Sequence, residues 1–188
     1  MKYCDWYFWE GMFSKDQIKD IYAIREKNFN KDWKDVGAVR ADGTANLKHV
    51  SSVNAVEWQY LAYNLEALER EIKITNRLNY GYNIEENFPN DSVLFNEYDT
   101  NGSYDWHKDG SNHPNYDFKF TVIVNTSLGE YEGGDLQLFS TGGPTTVTHL
   151  GGFGSAVIFK SDTPHRVTPV TKGQRRSLVY WKKGPNFV

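Results

Sequence analysis

Residues 156–181 read Ala-Val-Ile-Phe-Lys-Ser-Asp-Thr-Pro-His-Arg-Val-Thr-Pro-Val-Thr-Lys-Gly-Gln-Arg-Arg-Ser-Leu-Val-Tyr-Trp. The stretch holds three short runs rich in β-branched and aromatic residues: Ala156 to Lys160, His165 to Pro169 and Arg176 to Trp181. Clusters of Asp, Pro and Gly separate them. None of the gaps could hold the crossover helix that parallel neighbours need, so the strands run antiparallel. Working backwards, the same texture recurs over Val93–Tyr98, Phe118–Asn125, Asp135–Phe139 and Thr145–Thr148. Seven or eight short strands at close intervals indicate an antiparallel sandwich or jelly roll.

Before Asn79 the apolar period is helical instead. Ser14 and Gln17 have capping-box spacing ahead of Ile18, Ile21 and Tyr22. A second helix is expected from Asn54, with Glu57 three residues on and an apolar stripe of Trp58, Leu61, Leu65, Leu68 and Ile72. Between them Val36–Arg40 reads as a short strand and Asp42-Gly43 as a turn. No repeat, low-complexity segment or linker divides the chain. One domain over 1–188 is expected, with helical support over 1–80 and a jelly-roll core over 91–183.

Composition narrows the function. The 188 residues carry 21 Lys and Arg against 24 Asp and Glu, for a formal charge of −3. That balance argues against a protein that grips nucleic acid through its phosphates. The single cysteine, Cys4, can form neither an internal disulfide nor a thiolate zinc site, which leaves His, Asp and Glu as metal ligands. Charges at Asp5, Glu10 and Lys15 interrupt any signal-peptide run, and no stretch reaches transmembrane length. A soluble, cytoplasmic protein is expected, with no membrane or nucleic-acid partner.

Among the five histidines, His107 stands two residues before Asp109, a spacing that puts both side chains on one face of an extended chain. His165 opens a late strand, and Arg175 follows ten residues later. Two imidazoles and a carboxylate on one side of a metal make the facial triad of non-haem iron(II) oxygenases, with positions left open for a bidentate co-substrate and dioxygen. An arginine in the same barrel would offer a planar, bidentate partner to the far carboxylate of such a co-substrate. Strand alternation puts Arg175, Ser177, Val179 and Trp181 on one face and Arg176, Leu178 and Tyr180 on the other. Both faces are mixed, so alternation alone does not choose between the two arginines. His49, His113 and His149 have no partner spacing, and Gly133 and Gly134 read as turn residues that support the fold.

The ordered blocks Phe95-Asn96-Glu97-Tyr98, Trp106-His107-Lys108-Asp109, Glu130-Tyr131-Glu132-Gly133-Gly134-Asp135-Leu136, His165-Arg166-Val167-Thr168-Pro169-Val170 and Gly173-Gln174-Arg175-Arg176 resemble the prolyl-4-hydroxylase-like branch of the 2-oxoglutarate/Fe(II) dioxygenases, and the small bacterial and phage members most. The resemblance covers about residues 54–183. It implies a double-stranded β-helix, the cupin-like jelly roll, packed against α-helices. It also implies iron(II) on His107, Asp109 and His165, the distal carboxylate of 2-oxoglutarate on Arg175, and Tyr98 and Tyr104 lining the pocket. Ile123 stands where some members carry a further co-substrate tyrosine. The implied reaction uses dioxygen and 2-oxoglutarate to hydroxylate a C–H bond, with a peptidyl proline as the leading substrate and a small molecule as the other option.

Read from the residues alone, two further classes stay open: a cupin-type metalloenzyme that makes no use of 2-oxoglutarate, and a jelly-roll module without catalysis. Residues 30–52 and the loop Gly110–Asp117 are expected to shape the substrate groove. The aromatics Tyr98, Tyr104, Trp106 and Trp181 are expected to cluster at the pocket.

Overall fold

In the computed structural model, residues 5–30, 48–50, 52–111 and 113–186 are described. The chain runs β1 (Trp6–Trp9), α1 (Lys15–Asn28), β2 (Lys48–His49), β3 (Ser52–Glu57) and α2 (Trp58–Thr75), with a π turn over Asn76–Tyr80. It continues through β4 (Ser92–Tyr98), β5 (Ser103–His107), β6 (Tyr116–Asn125), β7 (Glu132–Gly133), β8 (Leu136–Ser140) and β9 (Gly143–Thr146). A 3-10 turn over Thr148–Gly151 precedes β10 (Ala156–Lys160), β11 (His165–Val167), β12 (Val170–Lys172) and β13 (Arg175–Pro185). The larger sheet has the order β1-β10-β6-β13-β4-β3, the smaller one β2-β5-β11-β8-β9, and β12 pairs with β7. Every strand pairing among the described residues is antiparallel. The two sheets face each other as a jelly roll.

Strand alternation gives the larger sheet two different faces. One carries Val93, Phe95, Val122, Val124, Ile158, Leu178 and Tyr180 into a core shared with α1 and α2. The other carries Leu94, Ile123, Val157, Phe159 and Val179 against Leu136, Leu138, Val147 and Leu150. The stripe Trp58, Leu61, Leu65, Leu68 and Ile72 is buried in the first of these cores, as its spacing predicts. Ser14 caps α1 through the reciprocal box: the Gln17 backbone N–H donates to Ser14 Oγ at 3.3 Å, and the Ser14 N–H donates to Gln17 Oε1 at 2.8 Å.

Several expected boundaries move. The second helix starts at Trp58 rather than Asn54. Residues 52–57 pair with β4 from Ser52 opposite Glu97 to Glu57 opposite Ser92, and that ladder outweighs the apparent capping box. Asn54 instead donates to Ser52 and makes no helix cap. The first 80 residues are therefore not purely helical, since β1 and β3 form both edges of the larger sheet. The strand expected over Thr145–Thr148 lies at Gly143–Thr146, and the one expected to reach Pro169 stops at Val167. Tyr116 and Asp117, read as loop, begin β6 opposite Pro185 and Gly184. The expected strand Val36–Arg40 and turn Asp42-Gly43 lie outside the described residues. Among those described, no helix is long and apolar enough to cross a membrane.

Candidate metal centre and chamber

His107 ends β5 and His165 opens β11, and the two are direct cross-strand partners. The next pair is Tyr104 with Val167, so three steps along β5 match two along β11. The extra residue is a β-bulge. It puts Tyr104 and His107 on the same inward face although they are three apart, and their rings stack at 3.6 Å between centroids. Asp105 and Trp106 turn outward. Trp106 meets Phe139 edge-on and lies under the Arg166 guanidinium, on the outer side of the smaller sheet, and so does not join the pocket cluster expected of it.

Both imidazoles are oriented in the same way. Nδ1 of His107 lies 2.8 Å from the Asp105 carbonyl, and Nδ1 of His165 lies 2.9 Å from the Thr163 carbonyl, in each case two residues back. A carbonyl can only accept, so Nδ1 carries the proton and Nε2 is left as a lone-pair donor to a metal. Asp109 follows β5 in a loop whose backbone N–H donates to the Ser161 carbonyl at 2.9 Å. Its carboxylate sits 3.7 Å from His107 Nε2 and 3.5 Å from His165 Nε2. One ligand atom from each of the three residues lies within 4.8 Å of the others. Two neutral nitrogens and one anionic oxygen, well buried and converging from one side, suit a divalent iron ion with positions left open.

Of the two arginines, Arg175 is the one on the inner face of β13. Arg175 is 2 % exposed and sits directly opposite Tyr98, its guanidinium 5.2 Å from that ring. Arg176 lies on the helix side, close to Glu97 and the Tyr22 ring. The one hydrogen bond that Arg175 makes with its side chain among the described residues goes to Ser177 Oγ at 3.1 Å, and it has no carboxylate partner there. A buried guanidinium with five donors and no anion is costly, so the position is built for an anionic ligand. Beside it lies a cavity of about 170 Å³ with Leu136, Val147, Leu150 and Tyr131 in its walls. Asn96 adds a second sign. It is buried on the inner face next to Ser177, and its Oδ1 has no hydrogen-bond partner among the described residues.

The structure thus brings His107, Asp109 and His165 together, and sets Tyr98 beside Arg175 and Tyr104 on His107. Asn96, Ser177, Thr121 and Ser161 escaped the sequence reading; for Asn96 and Ser177 the available signal was their alternation with Tyr98 and Arg175. Gly134 does more than turn the chain: with φ at +64°, a Cβ there would lie 2.8 Å from Arg175 Cδ, so its hydrogen makes room for the arginine stem. His149, read as partnerless, contacts Glu10 at 2.9 Å and stacks on Phe8, tying β1 to the 3-10 turn.

The chain is 37 % identical over 94 residues to a PKHD-type hydroxylase of Gloeothece citriformis; the match covers 48 % of this chain and 41 % of the relative, or about two fifths of its length. A Pseudomonas putida prolyl-4-hydroxylase superposes with a TM-score of 0.64 at 17 % identity, covering 97 % of this chain and 94 % of that one. A Trichoplax adhaerens prolyl hydroxylase, solved with a hypoxia inducible factor peptide fragment, superposes with a TM-score of 0.64 at 14 % identity, covering 95 % and 83 %. At such identities the superpositions establish the jelly-roll fold. Residues 93–183, which contain the three candidate ligands and Arg175, match the 2OG-Fe(II) oxygenase superfamily.

Proposed function

We propose that the protein is an iron(II)- and 2-oxoglutarate-dependent oxygenase that hydroxylates a C–H bond of a peptidyl proline. The observation that carries the oxygenase reading is the buried Arg175, without a carboxylate partner among the described residues, linked to the His107–Asp109–His165 set through Tyr98, which it faces, and Tyr104, which stacks on His107. Iron(II) would be held by His107 Nε2, His165 Nε2 and Asp109. When bound, it supplies the activation of dioxygen that couples loss of carbon dioxide from 2-oxoglutarate to oxidation of the substrate. One oxygen atom of O2 ends in the substrate alcohol and the other in succinate.

The chain's own residues do the positioning. Arg175 and Ser177 receive the distal carboxylate, and the donors of Arg175 suit a bidentate pair. The Asn96 amide offers the same pocket a further polar contact. Tyr98, Tyr104, Val167 and Val170 form a small apolar cluster that keeps water from the stretch between Arg175 and the ligands. The proline assignment rests on what the structural neighbours act on, as their names state, and on the peptide fragment bound to one of them.

Anaerobic titration with Fe(II) and then 2-oxoglutarate tests the first half: a weak visible charge-transfer band is expected in the wild type and absent in His107→Ala. Iron binding without any effect of 2-oxoglutarate would leave a cupin-type metalloenzyme, and no iron binding would leave a plain binding module. Succinate release with a panel of proline-containing peptides, free amino acids and nucleotides tests the second half. Peptide-stimulated turnover with a mass gain of one oxygen on proline is expected, whereas stimulation only by a non-peptide would overturn the proline assignment.

A further inference from the structure

We propose that Thr121 and Trp181 are positioning residues that clamp one oxygen of Asp109, so that the carboxylate offers a metal only its other oxygen; this rests on the iron-site reading above. Asp109 Oδ2 accepts from Thr121 Oγ1 at 2.6 Å and from Trp181 Nε1 at 2.9 Å. A carboxylate oxygen has two lone-pair directions, and these two donors occupy both. Oδ1 has no such donor among the described residues and lies 3.7 Å from His107 Nε2, while the clamped Oδ2 lies 3.5 Å from His165 Nε2.

The clamp is itself held. Thr121 is fully buried and also lies 3.1 Å from Ser161 Oγ. A hydroxyl has one proton to give; the shorter, charge-assisted contact to Asp109 takes most of it, and Ser161 Oγ is a second, longer acceptor that helps hold the Thr121 hydroxyl in place. Ser161 thus acts twice, since its carbonyl also receives the Asp109 N–H. The Trp181 indole stacks on Phe118 at 5.1 Å and 11°, which fixes where its N–H points. The register explains the convergence: Trp181 on β13 lies opposite Thr121 on β6, both on the inner face.

The consequence for the site is coordination number. An unclamped carboxylate can swing to bind through both oxygens and fill a position that a chelating 2-oxoacid and dioxygen need. Groups behind a ligand that orient it in this way are typically worth ~10–100-fold in metal affinity or activity.

The test uses Co(II) as a redox-silent probe on the full chain, with Trp181→Phe, which keeps the ring, Thr121→Val, which keeps the volume, and the two combined. The combined variant is expected to bind Co(II) at least ~10-fold more weakly, to show weaker visible d–d absorption from a higher coordination number, and to lose 2-oxoglutarate affinity for the loaded protein. Thr121→Ser should restore the wild-type spectrum and affinity. An unchanged spectrum and affinity in the combined variant, alongside loss of binding in His107→Ala, would overturn the clamp and leave the iron site standing. Failure of the wild type to bind Co(II) would overturn the site itself. Thermal melts of each variant show that altered spectra come from folded protein.

Discussion

At the scale of single residues, the most informative side chain is Arg175, which no carboxylate among the described residues meets. Arg175→Met removes the charge and the donors while keeping an unbranched stem, so metal binding should persist while 2-oxoglutarate binding weakens by ~30-fold or more, about 2 kcal/mol for a buried charge-assisted contact. Isothermal titration of the Co(II)-loaded variant measures it. Gly134→Ala tests the same pocket from the other side. The added methyl meets Arg175 Cδ and the backbone sits at positive φ, so a loss of about 1 kcal/mol or more in stability is expected together with weaker 2-oxoglutarate binding. A distant glycine at positive φ and open to solvent, Gly81, should show the stability loss alone when changed to Ala. The convergence of His107, Asp109 and His165, the candidate ligands, is legible in the sequence because their residue types are rare and their order along the chain is specific. Asn96, Thr121 and Ser161 are not, because polar residues of those types are common and only the cross-strand register shows that they face inward.

At the scale of elements, β13 joins the chamber to the helices. Its Tyr180 donates to Glu69 Oε1 of α2 at 2.9 Å, and its Lys182, fully buried, pairs with Glu69 Oε2 at 2.6 Å and with Asn87. Burial and the neighbouring Glu69 push the Tyr180 phenol well above its usual pKa, so it stays a proton donor. Removing one partner of this group strands a buried carboxylate, and Lys182→Met should cost ~3–5 kcal/mol in chemical denaturation. A combined Lys182→Met and Glu69→Leu variant should recover much of that. The element order was readable where period and turn chemistry agreed, as in α1 and β10. It was misread at 54–57, where a strand and a helix start share the same residue types and only pairing with β4 decides between them. β1 was missed because four aromatic-rich residues have no visible partner in sequence; the partner, β10, lies 150 residues on.

At the scale of the whole molecule, the candidate ligands come from β5, the loop after it, and β11, so a bound ion ties these segments together. A ligand that binds only the folded state raises stability by about 2.7 kcal/mol at a free concentration a hundred times its dissociation constant. For a chain of this size that corresponds to a rise of roughly 5–10 °C in Tm. Co(II) should produce that rise in the wild type, EDTA should reverse it, and His165→Ala should show none. The layered fold itself followed from the switch of period near Asn79, while the assignment of each sheet face to helix or chamber needed the register.

The alternation of β13 between chamber and helices has a further consequence, for how the gene tolerates change. In a saturation library scored both for cellular abundance and for turnover, substitutions at Arg176, Leu178, Tyr180 and Lys182 should deplete protein, whereas those at Arg175, Ser177 and Trp181 should spare abundance and silence activity. The two phenotypes would interleave along a single strand, broken at Val179, which shares the face of Arg175 but packs into the core.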